Sequence, residues 1–362
     1  MVLPHAIEAV PAGDRYARGW HCLGLATEYK DGKPHGLNIF GKQLVAFAGD
    51  DGHVQVLDAF CPHMGANLAS GEVRGNSLVC PFHQWNWGAN GVCTHIPYAT
   101  RVPPKARIQS WHTCEQNRLL FIWSDYEGAA PTPETAIPRI NACFSDEWTP
   151  WAVRKITIQT NCRELVDNLA DAAHFGPVHG SPASYFCNTF VGHIGYQMFH
   201  GSQSELLGNT LVADSAYFGP AYHITRMTAE VDGLPLHSVL LNCHVPINQD
   251  SFELRYGVMI KKTPGLSDDQ NREIAHAYVE QAHQSFFQDV EIWHNKTRID
   301  HPVLCEGDGP IYQLRDWYRQ FYTDLARLPN DLRKEKVFEL REGVWRTLSE
   351  VPPDAISQLH TI

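Results

Sequence analysis

No run of eighteen apolar residues occurs anywhere in the 362-residue chain, so no hydrophobic membrane-spanning helix is expected. The N-terminus lacks the charged, apolar and small-residue order of a secretory signal. Basic runs are missing too, and 29 Lys and Arg against 40 Asp and Glu give a net charge of −11. Nucleic acid and anionic membrane surfaces are therefore poor partners. There is no internal repeat and no low-complexity segment. A cytoplasmic location is expected, and in a reducing cytosol the 10 scattered cysteines would remain thiols. Most of them read as small apolar fillers: Cys22, Cys93, Cys114, Cys143, Cys162, Cys187, Cys243 and Cys305. Hydrophobic residues make up 43% of the chain, enough for real cores, and its length suggests two domains.

Cys61 and Cys80 are set apart by their surroundings. The stretch CPHMGANLASGEVRGNSLVCPFH reads C-x-H, sixteen residues, then C-x2-H. Two short loops each offer one thiolate and one imidazole, the ligand set of a Rieske [2Fe–2S] cluster. Cys61 and Cys80 would hold one iron, and His63 and His83 the other. Neutral imidazoles in place of two thiolates raise the potential, to roughly −150 to +300 mV against about −400 mV for an all-cysteine ferredoxin cluster. A structural zinc site is the competing reading of the same four side chains. Zinc fingers, however, usually pair Cys with Cys and His with His along the sequence.

Tyr16 to Tyr126 shows short β-like runs, with Asp51-Gly52 as a hairpin signal between two of them. Residues 1–15 are read as a lead-in and 127–150 as a linker, from the Ala, Pro and Thr of EGAAPTPETAIP. A second domain is expected over 151–328. It opens with a strand and a helix RELVDNLADAAHF, with Asn161 as N-cap and Glu164 reaching back to it. Residues 183–260 alternate apolar and polar, as in a broad antiparallel sheet. Ser267 and Gln270 cap a long helix running to about Lys296, and IYQLRDWYRQFYTDL forms a last amphipathic helix. Residues 329–362 are polar, weakly patterned and given no element. The fold class is α+β: an N-terminal all-β domain, then a helix-grip-like domain with an antiparallel sheet and long helices.

The segment DNLADAAHFGPVH holds His174 and His179. Five residues turn a regular helix by about 140°, so both could reach one metal only with a distortion. Gly176-Pro177 is expected to supply it, because Pro177 disfavours the α conformation at Gly176. Two histidines and one carboxylate suit a mononuclear Fe(II) with open positions for O2. Asp289 and Glu291 are the candidates for the carboxylate. Asp289, three after Phe286 and four before Trp293, shares their inward face, whereas Glu291 points about 200° away. Asp289 is preferred, since a lone buried carboxylate is costly unless paired or metal-bound. Asp171, one turn before His174, could accept from its ring N–H and orient it. Apolar and aromatic candidates for pocket walls are Tyr217, Phe218, Tyr222 and Phe286.

With both motifs in this order, the chain resembles the α-subunits of Rieske non-haem iron oxygenases. The blocks YARGWHCLG, CPFHQWNWG, NCRELVDNLADAAHF, QDVEIWHNKTRID and DGPIYQLRDWY are similar to those of the 3-ketosteroid 9α-hydroxylase branch. The resemblance implies a monooxygenase that hydroxylates a steroid or similar polycyclic substrate with O2. It implies a homotrimer in which one subunit's cluster faces the next subunit's iron, bridged through Asp171. It also implies a separate NADH-dependent flavin and iron–sulfur reductase, and it places Asn168 near the iron. The chain departs from that branch at Phe175-Gly176-Pro177-Val178 and Gly180, where bulkier aromatic residues are the pattern, and over a shorter Gly201–Ser215. Within enzymes, the runner-up reading is demethylation, desaturation or aromatic oxidation of another apolar substrate. A Rieske electron carrier with an appended domain would leave His174, His179 and Asp289 unexplained. A hydrophobic-ligand binder would have no need of either metal motif.

Overall fold

The computed structural model describes residues 15–204, 208–231, 234–299, 301–341 and 344–348. Its N-terminal half is built only of strands and 3-10 turns: β1 (Gly19–Leu25), β2 (His35–Ile39), β3 (Lys42–Ala48), β4 (Val54–Asp58), β5 (Glu72–Arg74), β6 (Ser77–Val79), β7 (Asn86–Gly88), β8 (Cys93–His95), β9 (Ser110–Trp111), β10 (Thr113–Gln116) and β11 (Leu119–Ser124). They form three antiparallel sheets, β1-β11-β10, β2-β3-β4-β9 and β5-β6-β7-β8. The Asp51-Gly52 turn joins β3 to β4, with Gly52 at φ +73°. After β11 the chain is pinned by Asn117, whose side chain donates to the Pro138 carbonyl (2.8 Å) and accepts from the Ile140 N–H (2.8 Å).

The C-terminal half centres on one nine-stranded antiparallel sheet in the order β12-β18-β17-β16-β15-β14-β13-β19-β20. Its strands are β12 (Ala152–Ile158), β13 (Ala183–Val191), β14 (Ile194–Ser204), β15 (Gly208–Phe218), β16 (Tyr222–Val231), β17 (Leu234–Pro246), β18 (Phe252–Ile260), β19 (Lys336–Arg341) and β20 (Val344–Leu348). The helices are α1 (Arg163–Asp167), α2 (Phe175–His179), α3 (Asp268–Asn295) and α4 (Ile311–Tyr318). The α+β class expected from the sequence is the class observed. No described helix is long and apolar enough to cross a membrane.

Strand alternation gives this sheet two working faces. Tyr222, Ile224, Val239, Leu241, Cys243 and Met259 point to one side and pack with Trp20, Cys22, Phe121 and Trp123 of the N-terminal half. Their neighbours Met227, Leu254, Tyr256 and Val258 point the other way, onto α3 through Ala275, Tyr278, Val279 and Val290. The Ser267–Gln270 capping box of α3 forms as expected, with Ser267 Oγ accepting from the Gln270 N–H (3.2 Å) and Gln270 Oε1 from the Ser267 N–H (2.9 Å).

Three elements differ from the sequence reading. The helix expected over 163–175 stops at Asp167, because the Leu169 carbonyl is captured by Asn188 Nδ2 (2.8 Å) and Gln197 Nε2 (2.7 Å) from β13 and β14. Glu164 does not reach back to Asn161. It is buried against Lys296 and Arg298, while Asp167 pairs with Arg298 (3.0 Å) and Arg315 (2.7 Å). Lys336–Arg341 and Val344–Leu348, given no element, form the antiparallel pair β19 and β20 and extend the sheet beside β13. The last helix is α4 followed by a 3-10 turn, Arg319–Tyr322.

Candidate metal centres and cavity

Two similar loops carry the first set of residues. Cys61 follows β4, and Cys80 follows β6. Each loop is closed by a backbone hydrogen bond from the fourth residue on, Gly65 N–H to the Cys61 carbonyl (2.8 Å) and Gln84 N–H to the Cys80 carbonyl (3.1 Å). Both closing residues have positive φ, +78° for Gly65 and +57° for Gln84, so the two loops share one tight bend. The thiols are buried and the imidazoles half-buried. The His63 and His83 rings sit 4.5 Å apart, and His63 stacks on Trp85 at 4.5 Å. Trp85 is held in turn by donating to the Tyr98 hydroxyl (2.7 Å). Burial, together with the Cys80 thiol beside it, pushes the Cys61 thiol up to about 11.

These residues fit a two-iron cluster. Nδ1 of His83 is buried without a hydrogen-bond partner, as a ligand atom would be. Among the described residues, only His174, His179 and Asp289 bring three such ligand atoms within 4.8 Å of one another.

The second set converges in the C-terminal half. The expected distortion at Gly176 does not occur: α2 is helical through Gly176. Pro177 lies in its first turn, where a missing N–H breaks no helical hydrogen bond. The side chains close the gap instead, from the two ends of this one short helix, with ring centroids 5.2 Å apart. Asp289 on α3 is buried while Glu291 is exposed, in line with the helical phase. Oδ2 of Asp289 lies 3.4 Å from Nε2 of His179 and accepts from Asn168 Nδ2 at 3.5 Å. Each imidazole is gripped from behind. Nδ1 of His174 lies 2.6 Å from the Asp171 carbonyl, and Nδ1 of His179 lies 3.2 Å from Gln288 Oε1. The Asp171 carboxylate, expected to take the His174 ring N–H, stands 3.6 Å from it and accepts the His174 backbone N–H (3.3 Å) instead. The backbone carbonyl is nearer and wins the ring. Behind this turn, Gly309 approaches so closely that a Cβ there would fall 1.3 Å from the Ala170 carbonyl oxygen.

His174, His179 and Asp289 are among the residues that line a cavity of about 250 Å³ between the sheet and α3. Asn168, Tyr217 and Phe286 line it, as the sequence suggests; Phe218 and Tyr222 do not. Phe218 follows Tyr217 on β15 and so points to the opposite face. Tyr222 is buried at the joint between the halves, where its hydroxyl accepts from Asn117 Nδ2 (3.0 Å). Gln197, Ser215, His223, Thr225 and Asn242 are polar wall residues that sequence reasoning missed. Register would have found them, since Gln197 pairs with Ser215, Ser215 with Thr225, and Tyr217 with His223. The remaining wall is largely apolar and aromatic, with Phe175 stacked on Phe199 at 4.3 Å.

The Rieske [2Fe–2S] domain profile matches residues 19–111, and the 3-ketosteroid 9α-hydroxylase C-terminal domain profile matches residues 122–322. The chain belongs to the 3-ketosteroid 9α-hydroxylase family. It is 48% identical over 335 residues to an oxygenase component of 3-ketosteroid-9-alpha-monooxygenase from Rhodococcus rhodochrous, covering 90% of this chain and 88% of that one. A protein of the same description from Mycobacterium tuberculosis is 44% identical over 351 residues, covering 94% and 90%. The fold also matches dicamba monooxygenase solved with non-haem iron and dicamba, at TM-score 0.62 and 20% identity, over 86% of this chain and 99% of that chain. Family membership accounts for both halves at once: a Rieske cluster domain leading into a 3-ketosteroid 9α-hydroxylase catalytic domain.

Proposed function

We propose that this protein is the terminal oxygenase component of a Rieske-type steroid monooxygenase, using O2 and reductase-supplied electrons to hydroxylate a 3-ketosteroid or similar polycyclic substrate. The observation that carries this reading is the largely apolar cavity lined by His174, His179 and Asp289, in a chain that also presents the Cys61–His63 and Cys80–His83 loops. The same halves divide as 16–126 for the cluster and 151–328 for catalysis, with β19–β20 added to the latter.

Cys61, Cys80, His63 and His83 hold the [2Fe–2S] cluster, and His174, His179 and Asp289 hold a mononuclear Fe(II). The iron, when bound, supplies O2 activation. The protein's own residues prepare the site. The Asp171 carbonyl and Gln288 fix the two imidazoles by their Nδ1 atoms, leaving Nε2 for the metal. Asn168 steadies the Asp289 carboxylate. Phe175, Phe199 and Phe286 exclude water and hold an apolar ring system against the centre. The name of the Rhodococcus relative supports a 3-ketosteroid substrate and a separate reductase, which we assign as NADH-dependent. A cytoplasmic role in steroid breakdown follows from that assignment. The test is a panel of 3-ketosteroids and other polycyclic compounds, assayed with reductase for O2 uptake matched by product. Uptake without product across the whole panel would refute the steroid reading.

The working unit is a homotrimer. Phe60, Met64, Phe82 and Tyr98 stand exposed around the cluster loops, an apolar rim suited to a neighbouring copy. The Asp171 carboxylate, left partly exposed beside His174, is then available to a cluster histidine of that copy. Asp171→Asn should keep both metal centres but slow electron delivery to the mononuclear iron by at least about tenfold. Mixed trimers of Asp171→Asn and Cys80→Ser chains should regain activity that neither has alone. Verified mixed trimers with no activity would rule out transfer between subunits.

A further inference from the structure

Four imidazole nitrogens are buried without a hydrogen-bond partner in one region: Nδ1 of His21, Nδ1 and Nε2 of His244, and Nε2 of His223. None belongs to either metal set. The rings form a file with Tyr217. His21 on β1 lies 6.4 Å from His244 on β17, His244 lies 6.5 Å from Tyr217 on β15, and Tyr217 stacks on His223 of β16 at 4.4 Å. Tyr217 and His223 line the catalytic cavity, while His21 and His244 are fully buried. At the His21 end, Nε2 of His21 meets the carbonyl of Ala17, itself buried, at 3.1 Å.

A buried polar atom left unpaired costs about 1–3 kcal/mol, so four in one file call for partners. At these centroid distances His21, His244 and Tyr217 make no direct hydrogen bond to one another, and bridging water would supply the missing partners. Burial lowers His21 to about 4 and His223 to about 3, and holds His244 well below its ordinary value. All three rings are therefore neutral at working pH. A neutral imidazole has one donor and one acceptor nitrogen. It can take a proton on one side and release it from the other.

We infer that His21, His244, Tyr217 and His223 hold a file of buried water that delivers protons to the catalytic cavity. The inference rests on the monooxygenase reading. Hydroxylation balances as RH + O2 + 2 electrons + 2 protons → ROH + H2O. The electrons come from the reductase, and the protons must cross a wall that is largely apolar. Behind Tyr217 and His223, the file is a polar stretch in otherwise apolar surroundings.

His244→Phe tests this, because it removes two of the unpaired nitrogens at similar size. The loaded variant, assayed with reductase and a 3-ketosteroid that the wild type hydroxylates, should form product at least about a hundredfold more slowly, the low end for a lost proton-transfer group. Peroxide released per O2 consumed should rise, and iron content should stay unchanged. His244→Gln, which keeps a donor and an acceptor, should recover most of the activity. A crystal structure of the wild type should show ordered water between His21, His244 and Tyr217. A dry file, or His244→Phe with wild-type turnover and coupling and a raised Tm, would overturn the relay. Should His244→Phe fail to fold, His21→Phe makes the same measurement at the other end of the file. Failure of the wild type to hydroxylate any 3-ketosteroid would count against the parent reading instead.

Discussion

Asp289→Ala should abolish turnover and empty the mononuclear site while leaving the visible spectrum of the cluster unchanged. Iron should fall from about three per chain to about two. The reason is local. Asp289 is buried on the inner face of α3, 3.4 Å from His179, and its removal leaves two imidazoles with no carboxylate to complete the set. His174→Ala and His179→Ala should behave alike. Glu291→Ala, on the exposed side of the same helix, should be near normal in iron and activity. A dead Glu291→Ala beside an active Asp289→Ala would mean that the wrong carboxylate has been assigned.

Cys80→Ser should have an effect of equal size at the other centre. The cluster's visible absorption should vanish, and with it all turnover driven by the reductase, while the mononuclear site still binds iron. Cys80 is buried immediately after β6, in a loop closed on its own carbonyl, so the substitution removes a donor without opening the domain. A normal cluster spectrum in Cys80→Ser would sink the ligand assignment.

How much of this was legible beforehand differs from residue to residue. Local spacing was enough to pick out the Cys61–His63 and Cys80–His83 loops, which fold into two like bends, because each pair and its bend lie within a few residues. Helical phase sufficed for Asp289 over Glu291, because α3 is long and regular. Phase failed at Phe218 and Tyr222. Strand alternation says that Tyr217 and Phe218 face opposite ways, but only pairing across the sheet says which way is inward. It failed again at the end of the expected helix, since the groups that capture the Leu169 carbonyl come from Asn188 and Gln197 on other strands. Strand β19 finds its partner in β13, some 150 residues back, and no local pattern announces so distant a pairing. The contact of Asp171 with His174 was only half legible. Its position one turn before His174 is local, but the choice between its carbonyl and its carboxylate depends on the turn that Gly309 packs behind.

The most direct measurement is a single turnover with oxygen-18. The protein is loaded with iron at both centres, reduced beforehand, separated from the reductase, and given a 3-ketosteroid and labelled O2. The account predicts a hydroxylated steroid carrying the label, and none from Asp289→Ala treated identically. Labelled O2 consumed with no label in any steroid product, from protein shown to hold both metal centres, would contradict it.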